Sequence, residues 1–370
     1  MNSVFRIEGC CSEFGGLTMT ENMGVQIVLA ARPKGAVRLS DFQLKEFSIP
    51  TISAGKLLLE VNYLSLDPYM RGRMDDRKSY AEPAKVGDVM PGETISTVIA
   101  SQHPEFATGD LVLAYTGWCT HAVIEPEKVR RTTQRAIPIT TQLGVLGMPG
   151  FTAYAGLKEI GRPVKGETVV VAAASGPVGS LVGQLAKLDG ARAIGIAGGP
   201  VKCAYVKDEL LFDAVVDHRS PDFWRALQAA CPDGIDVYYE NVGGAVWQAV
   251  LPLLNRFARV PVCGIISYYD SSSHTPGPDL LPETMRLILS QRLRIQGFLN
   301  FDYKDKRYDE FQREVSQGIT DGLIKYREDV VDGLENAPKA LLGLLEGKNF
   351  GKLLIRVREP HLTIDTAKSR

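Results

Sequence analysis

The sequence has few of the residues that usually build metal and disulfide sites. Its 370 residues include six cysteines and five histidines, which are scattered along the chain without a CxxC pair or an HxxxH group. No local pattern therefore predicts a metal site, and we expect reduced, mostly buried thiols. The formal net charge is only −1, which gives no electrostatic reason to expect a nucleic acid as partner.

Long hydrophobic runs are also absent. The longest apolar run, TVVVAAA at residues 168–174, is far shorter than the roughly 20 residues that a membrane-spanning helix needs. The amino terminus lacks the basic start and apolar core of a secretory signal. We therefore expect a cytoplasmic protein that has no membrane partner.

The length and the hydrophobic pattern predict two domains. A chain of this size with 45% hydrophobic residues can bury more than one core. Residues 1–24 show no periodicity and are expected to form an extension. Residues 25–150 contain short alternating runs, such as KLLLEVNYLSL, TISTVIA and GDLVLAYTGW, which predict an antiparallel β domain.

From about residue 168 the pattern changes to strands that alternate with helix-length segments. The strand candidates are TVVVAAA, ARAIGIAG, AVVD, IDVYYENVG, ARVPVCGII and LRIQGFLN. This alternation predicts an α/β fold with a doubly wound parallel sheet, which we place at residues 151–328. Residues 329–370 then hold one helix-like stretch and a final strand, GKLLIRV.

The turn AASGPVG, residues 173–179, lies between a predicted strand and a predicted helix. It follows the GxGxxG pattern except that Ala174 replaces the first glycine. Gly176 lets the backbone approach a pyrophosphate, and Gly179 lets the helix pack on its strand. Because the helix amino end also supplies N–H donors, the turn predicts a dinucleotide site.

The next predicted strand ends without the acid that an NAD-binding protein places on the ribose 2′-hydroxyl. The sequence there is IAGGPVK, in which Gly198 and Gly199 leave room and Lys202 offers a cation. A carboxylate would repel a 2′-phosphate, whereas a lysine attracts it. The sequence therefore predicts NADPH as the cofactor.

The chemistry of hydride transfer needs a group that stabilises charge on the acceptor. Zinc-dependent alcohol dehydrogenases of similar layout carry GHE where this chain has PGETIS. Tyrosines remain as candidates, since a phenol with a pKa near 10 is a neutral donor at pH 7. They are Tyr63 and Tyr69 in NYLSLDPYM, and Tyr268 and Tyr269 after a predicted strand.

Seven longer segments resemble one known family. They are YLSLDPYMRGRM, GVLGMPGFTAYAGL, VVAAASGPVGSLVGQLAKL, IDVYYENVGG, VPVCGIISYY, DGLENAP and GKNFGKLLIRV. Their order resembles the zinc-independent medium-chain reductases of the prostaglandin reductase and alkenal/one oxidoreductase family, and most closely the bacterial NADPH-dependent curcumin reductases. The resemblance implies a GroES-like β domain, a Rossmann domain, a C-terminal segment that returns to the β domain, and a homodimer.

The resemblance also implies site residues. Tyr63 and Tyr269 match family tyrosines near the substrate carbonyl, and Lys202 matches the lysine for the 2′-phosphate. His218 stands where many relatives have tyrosine near the adenosine phosphate, with Arg219 beside it. The other implied cofactor contacts are Gly176, Pro177, Val178, Gly179, Asn241, Cys263, Gly264, Ile265, Ile266, Ser267, Tyr268, Tyr269, Phe298, Leu299, Asn300 and Asn349.

The family implies reduction of the carbon–carbon double bond of small α,β-unsaturated ketones and aldehydes with NADPH. Our hypothesis is that hydride reaches the β-carbon, that Tyr63 or Tyr269 donates a hydrogen bond to the enolate oxygen, and that water or a tyrosine protonates the α-carbon. An NADPH-dependent quinone reductase on the same scaffold is one alternative. A non-catalytic NADPH-binding protein is the other.

Overall fold

The computed structural model describes residues 22–132, 137–270 and 279–360. Its strands are β1 (Met23–Leu29), β2 (Phe42–Ser48), β3 (Leu57–Ser65), β4 (Thr94–Ser101), β5 (Leu111–Ala114), β6 (His121–Ile124), β7 (Val129–Arg131), β8 (Thr168–Val171), β9 (Arg192–Ala197), β10 (Ala214–Asp217), β11 (Ile235–Tyr239), β12 (Leu254–Val262), β13 (Arg294–Gly297), β14 (Glu328–Asp332) and β15 (Lys352–Arg356). Its α-helices are α1 (Tyr69–Arg73), α2 (Met148–Ala155), α3 (Pro177–Leu188), α4 (Pro200–Ala204), α5 (Phe223–Ala230), α6 (Gly244–Val250), α7 (Leu281–Gln291), α8 (Lys304–Thr320) and α9 (Ala337–Leu345).

One sheet is parallel, with the strand order β10-β9-β8-β11-β12-β13. Along the chain this order is 3-2-1-4-5-6, which is that of dinucleotide-binding doubly wound domains. The predicted fold class is therefore confirmed. Helix α3 begins with Pro177 at its first position and is followed by Gly190, whose φ of 80° ends it, as its sequence predicts.

Both faces of the parallel sheet are covered by helices. Val169 and Val171 belong to a core shared with α2, α3 and α8, whereas Val170 belongs to a second core shared with α5 and α6. Alternate residues of a strand point to opposite faces. A strand covered on both faces must therefore be apolar throughout, which explains the TVVV run of β8.

The second sheet, here called the mixed sheet, has the order β14-β15-β3-β4-β5-β7, with β6 also paired to β3. All its pairs are antiparallel except β14 with β15, so the predicted antiparallel β domain is confirmed. The final strand β15 pairs with β3, and Leu354 lies opposite Ser65. The last strand of the described chain is thus paired with its third strand.

The expected domain boundaries fall inside secondary structure. The boundary after residue 150 lies within α2, and that after residue 328 lies within β14, so the division into domains stays a prediction. Strand β1 begins at Met23, which places the last two residues of the expected extension in a strand. Residues 1–21 of that extension lie outside the described residues. No helix in the described ranges is long and apolar enough to cross a bilayer.

A buried ion pair ties β15 to the segment between β3 and α1. Lys352 Nζ donates to Asp67 Oδ1 at 2.6 Å and to the Leu66 carbonyl oxygen at 2.8 Å. The two side chains are only 3% and 5% exposed. The Ser65 hydroxyl donates to the other carboxylate oxygen of Asp67. Removing one member of such a pair leaves a buried charge without compensation.

Lys352→Met is expected to lower the free energy of unfolding by about 3–5 kcal/mol, because Asp67 is left buried and unpaired. Denaturant unfolding followed by circular dichroism measures the change. Lys348→Met is the matched control, since its partner Glu346 and Lys348 itself are largely exposed, and it should cost at most about 1 kcal/mol. Equal losses in the two variants would contradict the interpretation.

Candidate active site

A cavity of about 960 Å³ opens between the parallel sheet and the mixed sheet. Its lining comes from the turn after β8, from residues that follow β11, β12 and β13, from the β3–α1 junction, and from β7, α8 and β15. Open α/β sheets bind ligands at the carboxyl ends of their strands, where the strand order reverses. Here that point lies between β8 and β11, so the cavity is the candidate active site.

The turn after β8 is shaped to approach a phosphate. Ala173 has a left-handed φ of 52°, which is uncommon for a residue with a side chain, and its carbonyl accepts the Gly176 N–H at 2.9 Å. A Cβ atom on Gly179 would lie 2.4 Å from that carbonyl oxygen, so the close approach of α3 requires glycine. The N–H groups of Val178 and Gly179 have no acceptor within the helix.

Cationic side chains collect beside the end of β9. A Cβ atom on Gly198 would lie 2.7 Å from His218 Nε2 and 3.0 Å from Arg219 Nε, so both side chains lie over this glycine. The Asp217 carboxylate accepts the backbone N–H groups of Gly199 and Arg219, each at 2.9 Å. These donors keep the pKa of Asp217 low. The negative charge of Asp217 is therefore stabilised by these two backbone donors.

Lys202 lies on α4 and belongs to the same cationic group. Its Nζ donates to the Gly347 carbonyl oxygen at 2.7 Å. Burial and then the Arg219 guanidinium lower the pKa of Lys202, and the same two causes lower the pKa of His218. A bound anion would favour the protonated form of both side chains, so the group is suited to a phosphate.

Side chains after β11 and β12 are fixed by hydrogen bonds at the cavity. Asn241 Nδ2 donates to the Ala172 carbonyl at 2.8 Å, and Cys263 Sγ lies 2.7 Å from Asn241 Oδ1. Burial strongly raises the pKa of the Cys263 thiol, which therefore remains neutral. Asn300 and Asn349 also line the cavity. These amides provide fixed donors and acceptors at its nucleotide side.

Tyr269 reaches the cavity, but its hydroxyl turns back toward the chain. The oxygen accepts the Ile265 N–H at 3.5 Å, and burial raises the pKa of Tyr269. Its neighbours point elsewhere, since the Tyr268 hydroxyl accepts the Gly244 N–H at 3.0 Å and the Ser267 hydroxyl donates to a backbone carbonyl. Of these side chains, Tyr269 is the one that faces the cavity.

Tyr63 is not among the residues that line the cavity, so its expected role at the substrate carbonyl stays a prediction. It lies on β3 opposite Arg356 of β15, and its hydroxyl is 3.4 Å from a Glu359 carboxylate oxygen. Burial and then Glu359 raise its pKa. Side chains along a strand alternate between the two faces of its sheet, and Tyr63 packs against the cluster that contains Leu143 and Leu354, neither of which lines the cavity.

Tyr69, six residues after Tyr63, lies at the cavity. It lies on α1, lines the cavity, and places its hydroxyl oxygen 3.2 Å from that of Tyr115. Burial and then Tyr115 raise the pKa of Tyr69 well above its usual value. The Arg73 guanidinium lies 5.6 Å from the Tyr69 ring centroid and 4.7 Å from that of Tyr80. Sequence analysis named Tyr69 as a candidate but missed Tyr80 and Tyr115.

A charged region of the cavity was not anticipated. Arg130 from β7 donates to the Tyr308 hydroxyl, and Arg130 and Lys304 lie 5.2 and 6.0 Å from the Tyr308 ring centroid. Glu93, just before β4, lines the same cavity. Burial raises the pKa of Glu93 to about 6, with Arg130 opposing that shift. Nothing in the local sequence marks these residues, which come from distant segments.

The structure gathers most of the expected cofactor residues at one cavity. Those that line it are Gly176, Pro177, Val178, Gly179, Asn241, Cys263, Gly264, Ile266, Tyr269, Phe298, Leu299, Asn300 and Asn349. Those that do not line it are Tyr63, Lys202, His218, Ile265, Ser267 and Tyr268. Lys202 and His218 lie beside the end of β9, where an extended dinucleotide places its adenosine end.

The donor set fits NADPH. The close glycine contacts bring backbone N–H groups of Val178 and Gly179 to a pyrophosphate site. Lys202 and Arg219 would hold the 2′-phosphate. Arg219 lies over Gly198, and after burial its guanidinium is the next cause that lowers the pKa of Lys202, so the two cations lie near each other. The carboxylate near them, Asp217, is already occupied by backbone donors.

Two family models match the chain. The model described as the N-terminal domain of oxidoreductase matches residues 25–132, and the model described as zinc-binding dehydrogenase matches residues 177–317. Across the described ranges, no group of three or more His, Cys, Asp or Glu side chains is placed to hold a metal ion. The two matches together cover most strands of both sheets, and β8, β14 and β15 lie outside them.

Similar proteins cover almost the whole chain. The NADPH-dependent curcumin reductase of Escherichia coli (strain K12) is 51% identical over 89% of this chain and 96% of its own length. The NADP(+)-dependent 2-alkenal reductase of Nicotiana tabacum is 39% identical over 90% and 97%. The crystal structure of CurA from Vibrio vulnificus in complex with NADPH is 52% identical, covers 91% of this chain and all of that one, and superposes with a TM-score of 0.87.

Lys202→Ala is expected to weaken NADPH binding by roughly 10- to 100-fold, because a charged hydrogen-bond partner is worth about 1.5–3 kcal/mol. NADH binding should be unchanged, since NADH carries no 2′-phosphate. Fluorescence titration with both nucleotides measures the ratio. Arg225→Ala on the exposed face of α5 is the control and should leave both affinities unchanged. Equal weakening of both nucleotides by Lys202→Ala would contradict the assignment.

Proposed function

The chain belongs to the zinc-independent medium-chain reductases of the prostaglandin reductase and alkenal/one oxidoreductase family, and on that premise we propose that it reduces the carbon–carbon double bond of α,β-unsaturated ketones and aldehydes with NADPH. The proposal includes a homodimer and a cytoplasmic location. It assigns the substrate carbonyl to tyrosines of the cavity.

The observation that carries the proposal is the hydroxyl pair of Tyr69 and Tyr115. The two oxygens are 3.2 Å apart, and either can be the donor. One hydroxyl hydrogen is used within the pair, so the other is free to point at a substrate oxygen. Because burial raises the pKa of Tyr69, the phenol remains a neutral donor at physiological pH.

NADPH, when bound, supplies the hydride that reduces the β-carbon of the substrate. Conjugation moves the resulting charge to the carbonyl oxygen, where a donor that is already in place stabilises it. Tyr69 and Tyr115 approach the cavity from the mixed sheet, whereas Tyr269 approaches from the parallel sheet. The substrate oxygen can therefore be held between donors from both sheets.

The remaining lining favours an apolar substrate. Apolar side chains from both sheets and from their connections surround the tyrosines, namely Leu66, Val89, Met148, Phe151, Ile266, Phe298, Leu299, Phe301, Leu344 and Leu353. A site of this volume with a mainly apolar lining surface is typical of pockets for small organic molecules. An enone with apolar substituents fits this description.

Tyr69→Phe is expected to lower kcat for NADPH-dependent reduction of benzalacetone by about 10²- to 10³-fold, the usual effect of removing an oxyanion donor. Tyr269→Phe should cost roughly tenfold or less, because its hydroxyl must first leave the Ile265 amide. NADPH consumption and product analysis measure both effects. Reduction of a quinone, assayed in parallel, should not depend on either hydroxyl.

Tyr63→Phe is the matched control for these variants. It removes a hydroxyl that contacts Glu359 and does not line the cavity, so kcat should stay at the wild-type value. A larger loss in Tyr63→Phe than in Tyr69→Phe would contradict the assignment of the tyrosines. Failure of the wild-type protein to reduce benzalacetone or other enones with NADPH would contradict the function itself.

The homodimer is supported by an apolar stripe on α7. Leu281, Met285 and Leu289 follow a four-residue spacing on one side of this helix and are 63%, 56% and 80% exposed. The helix packs beside β12, and β13 is the edge of the parallel sheet in the described residues. A second copy related by a two-fold axis would pair the two β13 strands and cover the stripe.

Leu289→Arg is expected to raise the dimer dissociation constant by roughly tenfold or more, because an unpaired charge at a buried interface costs more than about 1.4 kcal/mol. Sedimentation velocity over a range of concentrations measures the shift. Leu323→Arg is the control, since Leu323 is also exposed but follows α8. A wild-type protein that sediments as a monomer at all concentrations would contradict the dimer.

A further inference from the structure

Glu93 is a carboxylic acid in the cavity that the proposed function does not yet use. It comes just before β4, and its backbone carbonyl accepts the Ser65 N–H at 2.9 Å, which fixes its position next to the β3–α1 junction. Its side chain is half-buried and lines the cavity. Within the described ranges its carboxyl group has no hydrogen bond and no ion pair. A titratable group in a cleft without such a partner is a candidate for function.

The charged and titratable groups around Glu93 come from every neighbouring element. Those that act on it or share its cavity are Asp67 before α1, Tyr69 on α1, Tyr115 after β5, Arg130 on β7, Lys304 and Tyr308 on α8, and Lys352 on β15. Lys352 is already paired with Asp67, and Arg130 is bonded to Tyr308. Two of the nearby cations, Lys352 and Arg130, are therefore bonded to other side chains. Neither forms an ion pair that would stabilise the negative charge of the Glu93 carboxylate.

Glu93 also lies close to the hydroxyl pair, because Thr94 of β4 lies opposite Ala114 of β5, and Glu93 and Tyr115 are the next residues along this antiparallel register. Its carboxylate is among the groups that raise the pKa of Tyr69, after burial and Tyr115. Burial raises the pKa of Glu93 itself to about 6. A general acid works best when its pKa lies near the working pH. Among the carboxyl groups that line the cavity, Asp67 is held by Lys352 and Ser65, whereas Glu93 is free to exchange a proton.

Saturation of an enone consumes one proton besides the hydride. If a phenol of the Tyr69–Tyr115 pair gives that proton to the substrate, the pair is left with one O–H bond fewer and one negative charge. It must recover a proton before the next turnover. Water is a poor acid, and a phenol with a raised pKa is a strong base, so a carboxylic acid next to the pair would refill it quickly.

We propose that Glu93 is the acid that returns a proton to the Tyr69–Tyr115 pair in each turnover. The O–H bond of the Glu93 carboxyl breaks as its proton passes to a bridging water, that water gives one of its protons to the tyrosine oxygen, and the Glu93 carboxylate then takes a proton from solvent. The step involves no oxidation or reduction. The inference rests on the proposed function, because it needs a reaction that consumes a proton at this pair.

The test compares Glu93→Gln, Glu93→Asp and wild type in NADPH-dependent reduction of benzalacetone across a range of pH. Wild-type kcat should be highest below about pH 6 and fall by up to about tenfold per pH unit above it, because the acid must be protonated. Glu93→Gln should lose about 10- to 100-fold at pH 6 and show no inflection there. Glu93→Asp, which keeps an acid, should retain the inflection. Glu46→Gln, which changes an exposed acid on β2 that does not line the cavity, should leave the profile unchanged.

A second measurement does not depend on turnover. The raised pKa means that protonation of Glu93 stabilises the folded state, so wild type should lose this contribution as the pH rises through about 6. Glutamine cannot ionise. The melting temperature of Glu93→Gln relative to wild type should therefore be higher at pH 8 than at pH 4.5, whereas Glu46→Gln should show no such change.

The outcomes separate this inference from the proposed function. If wild type reduces the enone and Glu93→Gln keeps the wild-type rate and pH profile, Glu93 is not the acid and the function stands. If wild type reduces no enone, both fail. If Glu93→Gln does not fold, loss of the inflection or of most activity in Glu93→Asp would overturn the role of Glu93, since that variant retains a carboxyl group.

Discussion

The antiparallel pairing of β15 with β3 is the contact on which the candidate site depends. It brings Lys352 to the buried carboxylate of Asp67, which precedes the helix that carries Tyr69. The segment before β15 contributes Asn349 to the cavity and the Gly347 carbonyl that accepts Lys202. The end of the described chain thus connects the nucleotide side of the site to its tyrosine side. Neither side is complete without this pairing.

The parts of the fold that could be predicted from the sequence are those set by local physics. The apolar run of β8 follows from burial on both faces, and Pro177 and Gly190 bound α3 because each fits its end of a helix. The glycines of the nucleotide turn could be predicted because backbone contacts at Gly179 leave no room for a side chain. Such features depend on a few neighbouring residues, which the sequence displays directly.

The tyrosines and charges of the cavity depend on the tertiary fold. Tyr63 and Tyr69 are only six residues apart, and their surroundings differ because Tyr63 packs against a cluster of the mixed sheet whereas Tyr69 lies on α1 at the cavity. Arg130 and Tyr308 meet across 178 positions of the chain. No periodicity or motif marks such a contact. Resemblance to a family named Tyr269, which lines the cavity, and Tyr63, which does not.

The electrostatics divide the site into two regions of different character. Beside β9, burial and then the neighbouring Arg219 guanidinium lower the pKa values of Lys202 and His218, which suits a phosphate. Around Tyr69, burial keeps phenols neutral and makes Glu93 a weaker acid than usual, which suits proton donation. The most direct test of the account is to reduce benzalacetone with NADPH that carries deuterium at its reactive position, and to locate the label by NMR. The account predicts a saturated ketone labelled at the β-carbon; an alcohol labelled at the former carbonyl carbon would contradict it.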